Sequence, residues 1–316
     1  MIWAGIVLFN PNYNRLKNNI QNVLPNVDKL VLFNNGIDAE TKKYIVSLGS
    51  NKVTILGNGE NKGIAYALNS IMREAYENQV KWVITFDQDS ITPLNYTEQV
   101  KKRIIDNTQR KLGIVCPIIV DKRRIYPANR IIPDTTNDYN VEMCITSGSC
   151  TSVEAWNDVG GFDDFLFIDL VDNDFCKRLR SRQWIILRMG NVQLDQEFGN
   201  ITPRSKKVTD FFRFICKRIP NQRIAVNLSK LAYKKTVSPT RVYYTNRNIL
   251  YLNEKLRVLG GIGYESYNAK SYLGFLLFFN LPSLLRGKEK SKILKAIISG
   301  RREGKIASKK AEHFCP

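Results

Sequence analysis

The chain has 316 residues, of which 43% are hydrophobic and 10% aromatic, and its formal net charge is +19. This length and apolar content allow one large α/β domain with an extension, or two smaller domains, and they exclude a mainly disordered chain. The single histidine, His313, excludes catalytic triads and histidine-rich zinc sites. Acid–base chemistry must therefore rest on carboxylates, lysine, tyrosine or cysteine.

The first 120 residues alternate short apolar runs with helical patterns. Strands are predicted at 2–9, 29–33, 53–56, 81–86 and 113–119. These runs are continuous and rich in Val and Ile, as expected for a sheet covered on both faces. Helical periodicity lies between them, at 15–24, 38–48 and 64–79. The alternation predicts an α/β fold with a doubly wound, mostly parallel sheet.

The middle of the chain is less regular. Residues 121–140 are polar and contain Pro127 and Pro133, which predicts an excursion from the sheet. A further strand is predicted within 142–153 and a helix at 170–182. After residue 200 the pattern becomes mainly helical and basic.

The positive charge is confined to the last third of the chain. Residues 1–200 contain 23 Lys and Arg against 23 Asp and Glu, whereas residues 201–316 contain 25 against 6. This step predicts a catalytic domain at 1–200 and a basic, mostly helical C-terminal region at 201–316. The basic region should seek an anionic partner, either nucleic acid or anionic lipid.

An apolar stretch at 272–285 is followed directly by a run of lysines and arginines. It is too short to span a bilayer and is interrupted by Asn280 and Pro282. Bulky apolar residues beside basic ones favour attachment of residues 272–310 to an anionic membrane surface. The alternative is a buried helix with a solvated basic tail.

The cysteines and the N-terminus indicate the compartment. Six cysteines occur without any CxxC pair, which favours reduced thiols in a cytosolic protein. Residues 1–9 lack a basic segment before their apolar run, so they are predicted to be a buried strand rather than a signal peptide. We expect a cytoplasmic protein, peripheral at the inner face of the cell membrane.

Two aspartates follow the predicted strand at 81–86. Asp87 and Asp89 stand where ligand sites form in open α/β sheets, beyond the carboxyl ends of strands. Carboxylates at this spacing can share a hard cation, and Mg²⁺ or Mn²⁺ suits carboxylate and phosphate oxygens. An ordinary turn after a strand also favours aspartate, so the pair alone is a weak indication.

Two further segments are candidates for binding or catalysis. Asn61 could cap the helix at 64–79 and Gly63 permits close backbone approach, which suits either a plain helix start or a nucleotide contact. Five aspartates crowd residues 163–174, just before the next predicted helix. A carboxylate near that helix N-terminus should stay ionised at neutral pH, as a general base requires.

Taken in order, these segments resemble the family 2 glycosyltransferases and, within them, the bacterial rhamnosyltransferases. The resemblance covers about residues 1–200 and is carried by Val7–Pro11, Phe33–Gly36, Asn61–Asn69, Phe86–Ser90, Thr146–Gly148 and Gly161–Arg178. It implies a GT-A fold and an inverting transfer of a sugar from a nucleoside diphosphate sugar to a hydroxyl. The subgroup implies dTDP-rhamnose as the donor, and a lipid-linked saccharide of a surface polysaccharide is the expected acceptor.

The resemblance also implies a role for individual residues. Asp89, with Asp87, would hold Mg²⁺ or Mn²⁺, and Asp172 would be the base. Acceptor binding or orientation would fall to Asp169, Asp174, Ser147 and Gly148. The nucleotide would be lined by Phe9, Asn10, Asn34, Asn35, Asn61, Gly63 and Asp87.

The chain departs from the family pattern at two points. Many relatives carry a histidine near the end of the catalytic domain, where this chain has Gln196. The Gln-x-x-Arg-Trp motif of polymerising relatives is absent, which favours transfer of one or a few sugars.

Three alternatives stay open at this point. A UDP-hexose donor is the alternative within the enzyme hypothesis. A nucleic-acid-binding protein would explain the basic region, and Tyr243, Tyr244 and Tyr251 interleave there with arginines, but it would leave the aspartates without a role. A non-enzymatic carbohydrate-binding protein of the same fold is the third.

Overall fold

The computed structural model describes residues 1–123, 137–197, 199, 201–220, 225, 228–267 and 269–314. Most of the predicted excursion, at 124–136, and the last cysteine, Cys315, lie outside these residues. The other five cysteines are free and buried.

A mixed sheet forms the centre of the molecule. Its strands are β1 (Ile2–Leu8), β2 (Lys29–Asn34), β3 (Val53–Leu56), β4 (Trp82–Asp87), β5 (Leu112–Val120), β6 (Tyr139–Asn140), β7 (Ser149–Ser152) and β8 (Ile185–Asp195). In the described residues they lie in the order β3-β2-β1-β4-β7-β5-β8-β6. Strands β1 to β4 are mutually parallel, as are β5 and β8, whereas β7 runs antiparallel to both β4 and β5. The predicted α/β class and mostly parallel sheet are confirmed.

Helices cover both faces of this sheet. They are α1 (Tyr13–Val23), α2 (Ala39–Ser47), α3 (Ile64–Glu77), α4 (Tyr96–Asp106), α5 (Val153–Asp158) and α6 (Val171–Ser181). Successive side chains of a strand point to opposite faces, and β1 shows this clearly. Its Trp3 packs into the core shared with α3, α5 and α6, whereas Ile2, Ala4, Ile6 and Leu8 pack with α1 and α4.

The predicted elements before residue 200 agree with the structure, except that the short strand β6 and three longer elements were not predicted. The five predicted strands correspond to β1–β5, and the three early helices to α1–α3. The strand expected within 142–153 is only the four residues of β7. Helices α4 and α5 and strand β8 were not predicted; β8 contains Arg188, Gly190 and Asn191, which break its apolar run.

The C-terminal region is mainly helical, as predicted. It begins with a two-stranded sheet of β9 (Ile201–Pro203) and β10 (Tyr233–Lys235), which flanks α7 (Lys206–Arg218). Then come α8 (Pro239–Lys255), α9 (Tyr272–Phe275), a π-helical turn (Leu276–Asn280), α10 (Leu281–Arg286) and α11 (Lys290–Lys309). None of the helices in the described part of the chain combines the length and hydropathy needed to cross a bilayer.

Helix α8 joins this region to the first 200 residues. Ile249 and Leu252 of α8 belong to the same buried cluster as α3 and α6. On its other side, α8 packs against α11 at very short range, since a Cβ on Gly300 would lie 2.4 Å from the Tyr243 carbonyl oxygen. The division at residue 200 stays a prediction about organisation, but the two parts share one core.

The apolar stretch at 272–285 is only partly exposed. Phe275 is completely buried against Tyr267 and Phe279, so it cannot insert at a membrane interface as the sequence suggested. The exposed apolar residues are Leu273, Leu277, Phe278, Leu281 and Leu285. We call these five residues the apolar stripe.

Candidate active site

The candidate site lies at the carboxyl ends of β1, β2 and β4. These strands are parallel neighbours, with Val7 opposite Asp87 and Leu8 opposite Asn34. Their last residues therefore meet at one edge of the sheet, where ligands bind in open α/β folds. The structure thus brings the predicted nucleotide residues and the metal aspartates together.

The end of β1 is tied to both of its neighbours. The Phe9 N–H donates to Gln88 Oε1 at 2.9 Å, and Gln88 Nε2 donates to the Phe9 carbonyl at 3.1 Å. Asn10 has a positive φ of 44° and donates its N–H to the Gly36 carbonyl. Asn34 Oδ1 accepts from the Gly36 N–H at 3.1 Å. Phe9 and both asparagines thus line one continuous edge, as predicted.

A second asparagine pair leads from β2 to α3. Asn35 is buried and donates to Asn61 Oδ1 at 3.0 Å, while its own Oδ1 accepts from the Lys62 N–H. The predicted cap was wrong, because the N-cap of α3 is Gly63 and not Asn61. Gly63 has a φ of +86°, and a Cβ there would lie 2.6 Å from the Phe167 carbonyl oxygen. Its close approach is to the acidic loop (residues 163–170), whose Phe167 carbonyl accepts from the Ile64 N–H.

Asp87 and Asp89 share one hydrogen-bond donor. Gln196 Nε2 lies 2.8 Å from Asp87 Oδ2 and 3.3 Å from Asp89 Oδ1. The Gln196 Oε1 accepts from the buried hydroxyls of Ser90 and Ser147, at 2.7 and 2.8 Å. This buried network holds both carboxylates toward the Gln196 amide.

The electrostatics of the pair fit a divalent cation. Burial, and next the charge of Asp89, raises the pKa of Asp87 to about 6. Burial also raises the pKa of Asp89, against the opposing charge of Arg15. Two converging carboxylates that are costly to ionise together are stabilised by a hard cation with oxygen ligands. Within the described residues no third His, Cys, Asp or Glu joins them, so further ligands would come from diphosphate, water or the Gln196 amide.

Asp172 lies in the first turn of α6 and faces the same site. Its Oδ1 accepts from the Thr146 N–H at 3.1 Å, and the Thr146 carbonyl accepts from Thr85 of β4. Burial, with a smaller contribution from the negative charge of Asp87, raises the pKa of Asp172 to about 7. The expectation that it is fully ionised at neutral pH was therefore wrong. A pKa close to the working pH suits a general base better.

The other aspartates of the acidic cluster separate into different surroundings. Asp174 is completely buried and bonded to Arg178 and to Lys255 Nζ, the latter at 3.0 Å. Asp163 also pairs with Lys255, at 2.6 Å, and Asp164 accepts from Asn69. The acceptor-contacting role predicted for Asp174 is incompatible with this burial; it anchors α6 instead. Asp169 instead pairs with Arg241 of α8.

Ser147 and Gly148 lie beneath the site and not on its surface. Ser147 is buried, and its hydroxyl accepts from the Asp87 N–H at 3.2 Å. Gly148 has a φ of +75°, and a Cβ there would meet Pro117 at 2.9 Å. Both residues are buried, so of the predicted acceptor-binding or orienting role only orientation fits. Ser147 instead orients the metal aspartates.

Sequence reasoning missed the contribution of α8. Arg241 forms an ion pair with Asp169, and Thr245 Oγ1 lies 3.4 Å from the same carboxylate. Asn248, completely buried, donates to the carbonyls of Ile168 and Asp169, both at 2.9 Å. These three residues recur at four- and three-residue intervals, so they share one face of the helix. The polar spacing of these residues was the sign in the sequence that α8 contributes to the site, but the region was predicted only to be basic and mostly helical.

Two other arginines lie behind Asp89. Arg15 donates to the Asp89 carbonyl at 2.8 Å and pairs with Glu197 at 2.6 Å. Arg123 pairs with Asp121 and with Glu197. These contacts hold the Asp89 segment from the back. An open groove of about 420 Å³ lies between the end of β3 and α3, and it contains none of the metal or base residues.

The comparisons with known proteins agree with this geometry. Residues 5–152 match the model of the family described as glycosyl transferase family 2. That segment contains β1 through β7 and the Asp87–Asp89 pair. The chain is a glycosyltransferase, and its residues 5–152 are similar to family 2.

Two similar proteins show how far the likeness extends. This glycosyltransferase is 28% identical over 209 residues to the dTDP-rhamnosyl transferase RfbF of Shigella flexneri, covering 63% of this chain and 70% of the relative. A crystal structure of GalNAc-T7 with UDP, GalNAc and Mn²⁺ is similar in fold, with a TM-score of 0.51 and 13% identity. That match covers 89% of this chain but only 56% of the GalNAc-T7 chain. The expected GT-A type of fold is thereby supported.

Proposed function

We propose that the protein transfers rhamnose from dTDP-rhamnose, with inversion and with the help of a divalent metal, to a hydroxyl of a saccharide acceptor. One observation carries this proposal. The Asp172 carboxylate accepts from the Thr146 N–H, and the Thr146 carbonyl accepts from Thr85 of β4, the strand that ends at Asp87. A base and a diphosphate-binding carboxylate pair thus face one space, as a single displacement at a sugar carbon requires.

The chemistry follows from that arrangement. The acceptor hydroxyl loses its proton to the Asp172 carboxylate while its oxygen forms a bond to the anomeric carbon. The bond from that carbon to the diphosphate oxygen breaks, and its electron pair leaves with the nucleoside diphosphate. Attack on the face opposite the leaving group inverts the anomeric configuration. Such base catalysis typically contributes about 10²- to 10⁴-fold.

Asp87 and Asp89 are the residues that would hold the metal. When bound, Mg²⁺ or Mn²⁺ would offset the charge that develops on the diphosphate. The protein's own part is to keep both carboxylates converged, through Gln196, Ser90 and Ser147. Phe9, Asn10 and Asn34 offer polar groups and one ring, 46% exposed, beside which a nucleoside could lie, and the buried Asn35 supports this edge through Asn61.

The donor is argued from the curated relative. The protein from Shigella flexneri is described as a dTDP-rhamnosyl transferase, and its alignment with this chain extends over 209 residues. A UDP-hexose is the competing donor, and Mn²⁺ and UDP are present in the structurally similar GalNAc-T7 crystal.

The acceptor is argued from the C-terminal region. The apolar stripe is followed by exposed Lys288, Lys290 and Lys292, a combination that fits an anionic bilayer surface. A lipid-linked saccharide presented there would suit an enzyme of surface polysaccharide synthesis at the inner face of the cell membrane.

Donor turnover in the presence and absence of Mn²⁺ tests the proposal. We expect hydrolysis or transfer with dTDP-rhamnose, loss of activity in EDTA, and weak turnover of UDP-glucose and UDP-galactose. Preferred turnover of a UDP-hexose would replace the donor but keep the enzyme class. Absence of turnover with every nucleotide sugar, in the presence of either metal and a saccharide acceptor, would favour a non-enzymatic binding protein.

A further inference from the structure

Arg241 is the cation that the C-terminal region brings to the active site. It lies in the first turn of α8, which begins after the Ser238 cap. Its Nε lies 3.1 and 3.2 Å from the two Asp169 oxygens, and its Nη2 also bonds to Asp169. Asp169 is three residues before Asp172, so the guanidinium is anchored to the loop that leads to the proposed base.

The same side chain also faces the metal aspartates. The positive charge of Arg241 opposes the rise in the pKa of Asp87, which places it within electrostatic reach of that carboxylate. Its side chain is 57% exposed, whereas that of its partner Asp169 is 12% exposed. The guanidinium is therefore exposed, bonded to Asp169 and within electrostatic reach of Asp87.

The position of Arg241 at a helix N-terminus is energetically unfavourable unless an anion lies close to its guanidinium. The N-terminal end of a helix carries partial positive charge, so a cation in the first turn is disfavoured. The first turn of α8 contains no acidic residue, and Asp169 offsets the charge from outside the helix. Arg15 and Arg123 differ, because both are held behind Asp89 by Glu197. Among the described residues, no hydrogen bond occupies the Nη1 of Arg241.

We propose that Arg241 binds the diphosphate of the nucleotide sugar directly and pairs with the charge that the leaving group acquires. This inference rests on the proposed function, because it presupposes a nucleoside diphosphate donor. Arginine suits the task, since its planar fork forms two parallel hydrogen bonds to phosphate oxygens. The basic C-terminal region would then supply part of the donor site through one residue of α8.

Calorimetric titration with dTDP, dTMP and thymidine tests this inference without any chemical step. In Arg241→Gln we expect dTDP affinity to fall about 10- to 100-fold, as for a lost hydrogen bond between charged groups. The dTMP affinity should fall less and the thymidine affinity should stay unchanged. Arg241→Lys, which keeps the charge without the fork, should be intermediate. The charge-matched control is Arg213→Gln, on the exposed face of α7, and it should bind dTDP as the wild type does.

Asp169→Asn separates a direct contact from a merely structural one. An asparagine still accepts a hydrogen bond but no longer neutralises the guanidinium, so its dTDP affinity should equal or exceed that of the wild type. If Asp169→Asn loses dTDP affinity as much as Arg241→Gln does, Arg241 acts only by fixing the loop and the inference is overturned. Unchanged dTDP binding in Arg241→Gln overturns it too.

The wild-type titration keeps this inference distinct from the proposed function. If the wild type prefers UDP to dTDP, the same variants are titrated with UDP, and the rhamnose donor alone is replaced. If the wild type binds neither nucleoside diphosphate in Mn²⁺, the proposed function and the role of Arg241 both fail.

Discussion

Burial raises the pKa of Asp172, the proposed base, to about 7. That value determines how the reaction rate and the free energy of unfolding should depend on pH. The carboxyl must lose its proton before it can accept one from the acceptor. We therefore expect kcat to rise with pH up to about 7 and then to level off, falling about tenfold per unit well below that pH. A pH–rate profile of the wild type measures this directly.

Asp172→Asn is the matching substitution, because it is nearly isosteric and cannot take the proton. We expect kcat to fall about 10²- to 10⁴-fold with dTDP affinity close to that of the wild type. The control is Asp164→Asn, in the acidic loop that precedes Asp172. Asp164 is bonded to Asn69, so this variant should keep most of its activity. A crippled Asp169→Asn beside an active Asp172→Asn would show that the base is Asp169.

The raised pKa also predicts that Asp172→Asn is more stable than the wild type in alkaline solution. The folded chain holds the Asp172 proton more tightly than the unfolded chain, whose carboxyl titrates near 4. The cost of the buried charge is therefore absent below pH 4 and grows as pH rises through about 7. Because the side chain is partly exposed, we expect a gain of about 1–2 kcal/mol at pH 8. Urea denaturation at pH 4.5 and pH 8 tests this, and equal gains at both values would contradict the pKa.

Metal binding should depend on Asp89 and on the protonation of Asp87. We expect Asp89→Ala to abolish detectable Mn²⁺ binding and transfer, while the distant Asp210→Ala has no effect. In the wild type, Mn²⁺ affinity should fall below pH 6, because the proton on Asp87 competes with the cation. Calorimetric titration of Mn²⁺ from pH 5 to pH 8 measures both effects. Full turnover of Asp89→Ala, or of the wild type in EDTA, is the result that would exclude this metal site.

The sequence could indicate these carboxylates but not their neighbours. Asp87, Asp89 and Asp172 occupy strand-end and helix-start positions that local pattern identifies. Gln196 meets Asp87 across 109 residues, and Arg241 meets Asp169 across 72, so no local pattern could place them. Asp174 was misplaced because the sequence does not say which face of a helix is buried. Its four-residue spacing to Arg178 was the sign of an internal ion pair.

At the scale of elements, the site depends on how α3 and α8 hold the acidic loop. Asp169 and Leu170 both have positive φ angles, near 66°, a conformation that costs energy for residues other than glycine. Asn248 stabilises it by bonding the carbonyls of Ile168 and Asp169, while Gly63 lets α3 approach Phe167. Strained backbone beside the proposed base is thus held from two sides.

Gly63 and Gly160 form a matched pair for testing the approach of α3 to this loop. Both have positive φ, at +86° and +75°, so alanine is disfavoured at both. A Cβ on Gly63 would collide with the Phe167 backbone, whereas one on Gly160 would meet nothing within 4 Å. We expect Gly63→Ala to cost about 1–3 kcal/mol more than Gly160→Ala in urea denaturation. Its kcat should fall as well, because the loop leading to Asp172 must shift. Equal costs would mean that the close approach is not needed.

The sequence pattern predicted helices and strands correctly where one hydrophobic periodicity continued through the whole element. It failed where contacts with distant parts of the chain determine the local structure. Strands β1 to β5 are continuous apolar runs between helical segments, and all were predicted. Strand β7 is Ser-Cys-Thr-Ser, which carries little apolar signal, yet all four residues are buried between β4 and β5. The π-helical turn at Leu276–Asn280 was equally invisible, since it accompanies a buried pairing of Asn280 with Asn246 of α8.

At the scale of the whole molecule, that pairing links the apolar stripe to the active site. Asn280 and Asn246 exchange two hydrogen bonds of 2.8 Å, and Asn246 stands five residues after Arg241 on α8. The helix that carries the stripe is therefore fixed to the helix that reaches Asp169. A surface that held the stripe would hold the catalytic cleft in a set orientation. Deletion of residues 271–316 is a poor test, because it would remove Phe275 from the core and uncover α8.

Substitution within the apolar stripe tests membrane attachment without disturbing the core. Leu277 and Phe278 are 50% and 63% exposed, so replacing both with serine should leave the fold intact. Each bulky apolar side chain contributes about 1 kcal/mol or more when it enters the interface, and each nearby lysine about 1 kcal/mol, screened by salt. We expect the wild type to co-sediment with anionic vesicles at low salt, less with zwitterionic ones, and the double variant to bind at least about tenfold more weakly. Val46→Ser with Ile105→Ser, exposed apolar residues of the neutral half, is the matched control and should bind as the wild type does. If the wild type ignores anionic vesicles at low salt, or the control loses as much binding as the stripe variant, the apolar stripe is not a membrane-binding surface.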